Sequence, residues 1–181
     1  MEFEATIQKN EKWENAMAIL SIRCVPDEVL RQKAKRVRIV SPSVRKLIDD
    51  MVETVRSASG VGLAAPQVGV LLRVVVVETP EEGLVALVNP EVVKKSGERD
   101  VIEGCLSIPG YQGEIKRSVA VTVKGRDRNG KEVRIKADGI LGQGLEHEID
   151  HLNGILYTDY VESDDKLWKA EPVALASESK A

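Results

Sequence analysis

The chain has 181 residues, 43% of them hydrophobic, which suits a single domain with a real core. Charged residues make up 30% and the formal net charge is -3, so the charge balance gives no reason to expect specific nucleic-acid binding or attachment to an acidic membrane. No apolar run reaches transmembrane length, and two cysteines, Cys24 and Cys105, are too few for a disulfide framework; the expected setting is a reducing cytoplasm.

Residues 1–16 are polar and aperiodic and lack the apolar stretch of a signal peptide. They are read as a mobile extension ahead of a single domain over 17–161, with Met17 a candidate initiator. Pro26-Asp27-Glu28 places proline and acids in a first helical turn, predicting a helix to about Ala34. Lys35–Arg38 is a small basic cluster, read as solvated surface. Ser41-Pro42-Ser43 opens a second helix, with Leu47, Ile48, Met51, Val52 and Val55 at helical spacing and Ser59-Gly60 as its stop. Gly60–Gln67 is small, apolar and glycine-marked, so its backbone can approach another group closely; it lacks the lysine and glycine spacing of a phosphate loop.

Leu71–Glu78 contains four consecutive valines and reads as a buried strand. Leu84–Val93 reads as another, with Pro90 limiting its pairing to an edge or a bend. Asp100–Ser107 is expected to be short and extended. Val119, Val121 and Val123 alternate inward over Ser118–Lys124, Asn129-Gly130 signals a type I′ hairpin, and Val133 and Ile135 continue the alternation on the return strand. A helix comes next, from an N-cap at Asp138 to a stop at Asn153-Gly154, with Leu141, Leu145, Ile149 and Leu152 facing the core. Residues 162–181 are charged and alanine-rich, a C-terminal tail able to form a short helix. No repeat and no linker is evident. Helices, then several antiparallel strands, then one helix make an α+β fold.

The last helix carries both histidines of the chain, in His147-Glu148-Ile149-Asp150-His151. Spacing of four residues stacks the imidazoles on one helix face, where they can bind one metal ion, and Glu148 lies beside them as a base for a metal-activated water. A catalytic site of this kind needs a third protein ligand and an open position. Two candidates remain: Glu162 downstream, in the manner of a zincin-type endopeptidase, or Cys105 in Glu103-Gly104-Cys105-Leu106-Ser107, where a metal would hold the thiolate. A closed structural metal site would need a fourth ligand, and none stands out. Cys24 is assigned to packing, as a small buried hydrophobe. Ile140 and Gly144 share the histidine face, and the missing side chain of Gly144 predicts a gap for an apolar substrate group.

Three segments, Gly60–Gln67, Glu103–Ser107 and His147–His151, resemble the peptide deformylases and occur in that family's order, with the likeness running from about Ala18 to Tyr160. The resemblance implies antiparallel sheets packed around a central metal-bearing helix. It implies that Cys105, His147 and His151 hold one divalent ion, natively Fe²⁺, with Zn²⁺, Ni²⁺ or Co²⁺ as substitutes. It makes Glu148 the acid/base and assigns oxyanion stabilisation to the Gln67 amide and the backbone N–H of Leu106. Val61, Gly62 and Gly104 within the matched segments join Ile140 and Gly144 as substrate-binding positions. The implied reaction removes the formyl group from N-formylmethionine on nascent polypeptides near the ribosome, in a bacterial-type cytoplasm. Two residues depart from the family pattern: Glu146 stands where glutamine is usual, and is expected to alter contacts around the ligands or to face water. Gln143 stands where arginine or an apolar residue is expected, which bears on the shape of the substrate pocket.

Overall fold

Residues 17–170 are described in a computed structural model of the chain; the expected extension at 1–16 and the end of the tail lie outside them. Four consecutive valines, Val74–Val77, are all fully buried, which requires cover on both sides of their strand. Alternation sends Val75 and Val77 to one cluster and Val74 and Val76 to another. The strand, β2 (Val74–Thr79), lies in a five-stranded antiparallel sheet with β1 (Gly62–Ala64), β3 (Gly83–Ser96), β6 (Ala120–Arg126) and β7 (Glu132–Asp138), in the order β1-β2-β3-β6-β7.

One face of this sheet is covered by α1 (Pro42–Ser57), through Ile48, Met51, Val52 and Val55. Ser41 caps α1 by accepting from the Val44 N–H, Pro42 occupies its first turn, and Ser59 beyond its end takes a left-handed φ of 52°. The other face is covered by α2 (Gly139–Leu152), through Leu141, Leu145, Ile149 and Leu152. Asp138 sits at its N-cap position without a side-chain hydrogen bond. A smaller sheet of β4 (Arg99–Cys105), β5 (Ile108–Arg117) and β8 (Leu167–Lys169), in the order β4-β5-β8, packs its own cluster around Leu30, Ile115, Leu156 and Tyr157.

Several expectations need correction. The helix expected over Pro26–Ala34 is a single 3-10 turn, Glu28–Arg31, because Ala34 and Lys35 donate instead to the Leu152 and Leu71 carbonyls and pull the chain extended. Pro90 lies in β3, an interior strand, where a register shift between Val88 and Glu91 absorbs the missing donor: the bend, not the edge. Val119 is exposed; it falls in the link between the sheets, one residue before β6 begins. The β6–β7 hairpin forms, but Asn129 keeps a negative φ and Gly130 alone is left-handed, at 86°. The Asp127 carbonyl accepts from Gly130 and the Asp127 side chain from Asn129 and Lys131, which gives a longer, side-chain-stabilised loop in place of a type I′ turn. Part of the expected tail belongs to the fold: residues 164–166 make a 3-10 turn and 167–169 form β8.

Candidate metal centre and cleft

Helical spacing sets the two histidine rings one above the other, with Nε2 of His147 and Nε2 of His151 3.2 Å apart. The third atom arrives from the smaller sheet. At the end of β4 the pairing with β5 shifts register between Gly104 and Cys105, and the tight turn at Leu106-Ser107 aims the cysteine at α2. Its Sγ lies 3.2 Å from His151 Nε2, and the three atoms lie within 4.8 Å of one another. Ligands of one tetrahedral ion at about 2.0–2.3 Å stand roughly 3.3–3.6 Å apart, so the spacing fits a metal with little adjustment. One thiolate and two imidazoles suit Fe²⁺, Co²⁺, Ni²⁺ or Zn²⁺, and with Cys105 and His147 lining an open cleft, one side is left for substrate.

Buried charges hold this group in place. His147 Nδ1 is 2.7 Å from Glu103 Oε2, which fixes the ring so that Nε2 is the atom presented to a metal. Arg117 donates to both oxygens of Glu103, at 2.8 and 3.0 Å, and at 2.6 Å to Asp150, one turn of the helix from Glu146 and beside the second histidine. Tyr160 donates to Asp150 at 3.2 Å and lies under the guanidinium. Burial alone would raise the Glu103 carboxyl, but the bonds to His147 and Arg117 reverse this and bring it to about 2, so Glu103 is anionic at neutral pH. Burial lowers His151 well below its ordinary value and keeps that imidazole neutral. Neither Arg117 nor Asp150 was singled out from sequence, and Glu103 was noted only as part of its motif; a buried arginine late in an unrecognised strand carries no periodic signal.

Gln67 is fully buried in the 3-10 turn that follows β1. Its Oε1 accepts from the Ala64 N–H at 2.8 Å, which fixes the orientation of the amide. Its Nε2 therefore points to Ser107 Oγ, at 3.2 Å, and to Cys105 Sγ, at 3.5 Å. Ser107 also donates its N–H to that sulfur at 3.4 Å, a role the sequence did not suggest. The segment at Arg23–Val25 ties these pieces from behind: the Arg23 N–H donates to the Gln67 carbonyl and the Val25 N–H to the Ser107 carbonyl. Cys24, between them, is exposed and not a buried hydrophobe, because the strap lies on the surface.

Glu148 is buried, and among the described residues its Oε2 has no hydrogen-bond partner. Burial pushes its carboxyl up to about 7. A methyl at Gly62 would come within 2.5 Å of Glu148 Oε1, so the bare backbone of β1 is what makes room for this carboxylate. The cleft above has a volume of about 660 Å³. Val61, Gly62, Gly104, Leu106, Ile140 and Gly144 all line it, with Gln67, Cys105, His147 and Glu148. The gap at Gly144 is narrower than its missing side chain suggests, since a methyl there would lie 3.0 Å from Val77 Cγ1.

Three other expectations are resolved by position. Glu162 is exposed and paired with Lys166 at 3.1 Å, away from the histidines, so the zincin-type arrangement is not favoured. Glu146 does not face water. It is buried on the far side of α2, where it accepts from the Ser118 N–H and hydroxyl and pairs with Lys95. Gln143 lines the cleft and donates to the Ile102 carbonyl at 3.2 Å.

Comparison with known proteins agrees with this geometry. The model of the polypeptide deformylase family matches residues 19–167. A peptide deformylase of Dehalococcoides mccartyi (strain CBDB1) is 57% identical over 157 residues, 86% of this chain and 94% of that one. Another, from Halothermothrix orenii, is 54% identical over 146 residues, 80% of this chain and 95% of its own. Among solved structures, a peptide deformylase from Ehrlichia chaffeensis in complex with actinonin superposes with a TM-score of 0.80 at 43% identity, covering 83% of this chain and 92% of that one. One from Legionella pneumophila gives 0.78 at 46%, covering 82% and 89%. Motif order, fold and ligand geometry thus converge, and the chain belongs to the polypeptide deformylase family.

Proposed function

We propose that this chain is a metal-dependent hydrolase that removes the formyl group from N-formylmethionine at the start of newly made polypeptides. The observation that carries the reading is the convergence of Cys105, His147 and His151, the first two lining a cleft, beside a buried glutamate with a free oxygen and an oriented amide. Cys105, His147 and His151 hold one divalent ion, natively Fe²⁺, which Zn²⁺, Ni²⁺ or Co²⁺ can replace. Bound there, the ion supplies Lewis acidity and a nucleophilic water at neutral pH.

The chain's own groups do the rest. Glu148 takes the proton of the attacking water and returns it to the methionine nitrogen as that nitrogen leaves. The Gln67 Nε2–H and the backbone N–H of Leu106 donate to the formyl oxygen as charge develops on it, without adding a competing charge. Glu103, anchored by Arg117, keeps His147 in the required tautomer. The methionine side chain enters beside Ile140 and Gly144. Strands β1 and β4 are each at the edge of a sheet and both border the cleft, so an extended peptide can add to an edge along Val61-Gly62 and Gly104. Among the described residues no helix is long and apolar enough to cross a membrane. The reading implies work in a bacterial-type cytoplasm, close to the ribosome.

The test is metal analysis of anaerobically purified protein together with formate release from formyl-Met-Ala. One iron per chain and stoichiometric formate are expected. The iron form should lose activity in air while the nickel form keeps it, because an open iron–thiolate site is exposed to oxidation. Protein loaded with metal that releases no formate would overturn the assignment.

A further inference from the structure

A side-chain hydrogen bond crosses the mouth of the cleft. Gln143, one helical turn before His147 on α2, reaches over to β4 and donates its Nε2–H to the Ile102 carbonyl at 3.2 Å. Among the described residues strand β4 pairs with β5 alone, so the outward-facing carbonyls on its other side meet the cleft and no partner strand. Those are the acceptors that a peptide added to this edge would use. Ile102 stands three residues before Cys105. At about 3.3 Å per residue, an extended peptide whose formyl group sits at Cys105 reaches Ile102 after roughly 10 Å, with an N–H from one of the first two residues after methionine.

We propose that Gln143 is a specificity-determining latch: its amide holds the Ile102 carbonyl in the free enzyme and gives it up to a backbone N–H of the bound peptide. The inference rests on the deformylase reading and adds to it a competitor at the β4 edge: Gln143 tempers the preference for a peptide backbone beyond the methionine. The Ile102 carbonyl lies at the exposed mouth of the cleft, and the two donors, Gln143 and the peptide N–H, compete for it. Substrates able to replace Gln143 bind along β4; substrates lacking that N–H leave the latch closed and gain nothing from the edge.

The test compares metal-loaded wild type with Gln143→Met, which keeps the length of the side chain and deletes its donor. Two substrates are used: formyl-Met-Ala-Ser, and formyl-methionine methyl ester, which has no backbone N–H after the methionine. With the competitor removed, the ratio of kcat/KM for the tripeptide over the ester should rise about 2- to 10-fold, the range set by one net hydrogen bond. Gln143→Leu, a second way to delete the donor, should give the same rise. N-methylation of the tripeptide at alanine or at serine should abolish the gain at one of the two positions. An unchanged ratio, or a gain that survives methylation at both, would overturn the latch. Failure of the wild-type enzyme to deformylate either substrate would instead overturn the reading of the reaction, and the latch with it.

Discussion

The two flanks of α2 carry buried glutamates two residues apart, and the two live under opposite conditions. Glu146, on the side away from the cleft, has both oxygens occupied: by the Ser118 N–H, the Ser118 hydroxyl and Lys95. Glu148, on the cleft side, leaves Oε2 without a partner, and burial raises its carboxyl to about 7. A buried carboxylate without partners destabilises a fold. This helix can carry one because Leu141, Leu145, Ile149 and Leu152 fix it to the large sheet, and Arg117 fixes its cleft end through Glu103 and Asp150. In the proposed mechanism the difference separates residues that hold the helix from the residue that moves the proton, and substitutions should respect that division.

The largest expected effect comes from breaking the anchor. Arg117→Ala leaves buried Glu103 and partly buried Asp150 without their shared cation, which should cost about 3–5 kcal/mol of stability. Urea unfolding of the metal-loaded protein measures it; a loss below about 1 kcal/mol would show that the network is dispensable. Next is Gln67→Ala, on the working side. In the proposed mechanism Gln67 is one of two oxyanion donors, and its removal should lower kcat by about 10²- to 10³-fold, roughly 2.7–4 kcal/mol, with KM little changed. Steady-state kinetics at saturating metal decides, and a fall confined to KM would make Gln67 a binding group only. The smallest effect belongs to Glu146→Gln. The amide oxygen can still accept from the Ser118 N–H and the amide nitrogen can donate to its hydroxyl, so only the pair with exposed Lys95 is lost. The cost should be about 0.2–1 kcal/mol, a few degrees at most in Tm, with turnover unchanged. A tenfold fall in kcat would place Glu146 on the working side and erase the contrast.

The parts that sequence made legible are those governed by a period or a rare residue. Both histidines fell at helical spacing in a chain that has two, and the four valines of β2 could only be a strand covered on both faces. Strand β5 was missed entirely. Pro109, Gly110 and Gly113 interrupt it, and three of its buried positions are Gly113, Ile115 and Arg117, which do not look like one apolar face. With β5 went Arg117, whose burial makes sense only once Glu103 and Asp150, from two other elements, are seen to surround it. Strand β8 was hidden for a related reason: Leu167–Lys169 is short and becomes a strand only by pairing with β5. The exposure of Cys24 and Val119 likewise depends on long-range neighbours, the strap across Gln67 and Ser107 in one case and the crossing between sheets in the other.

The central claim is that Glu148 is the proton carrier and takes no part in holding the metal or the fold. Glu148→Gln tests it directly, with metal content, thermal melting and turnover measured on one preparation. Metal should stay at the wild-type stoichiometry. The melting temperature should equal or exceed that of the wild type, since a buried unpartnered carboxyl is replaced by a neutral amide, and turnover should fall by about 10²-fold or more. Turnover within a few fold of wild type with metal in place, or loss of the metal itself, would contradict it.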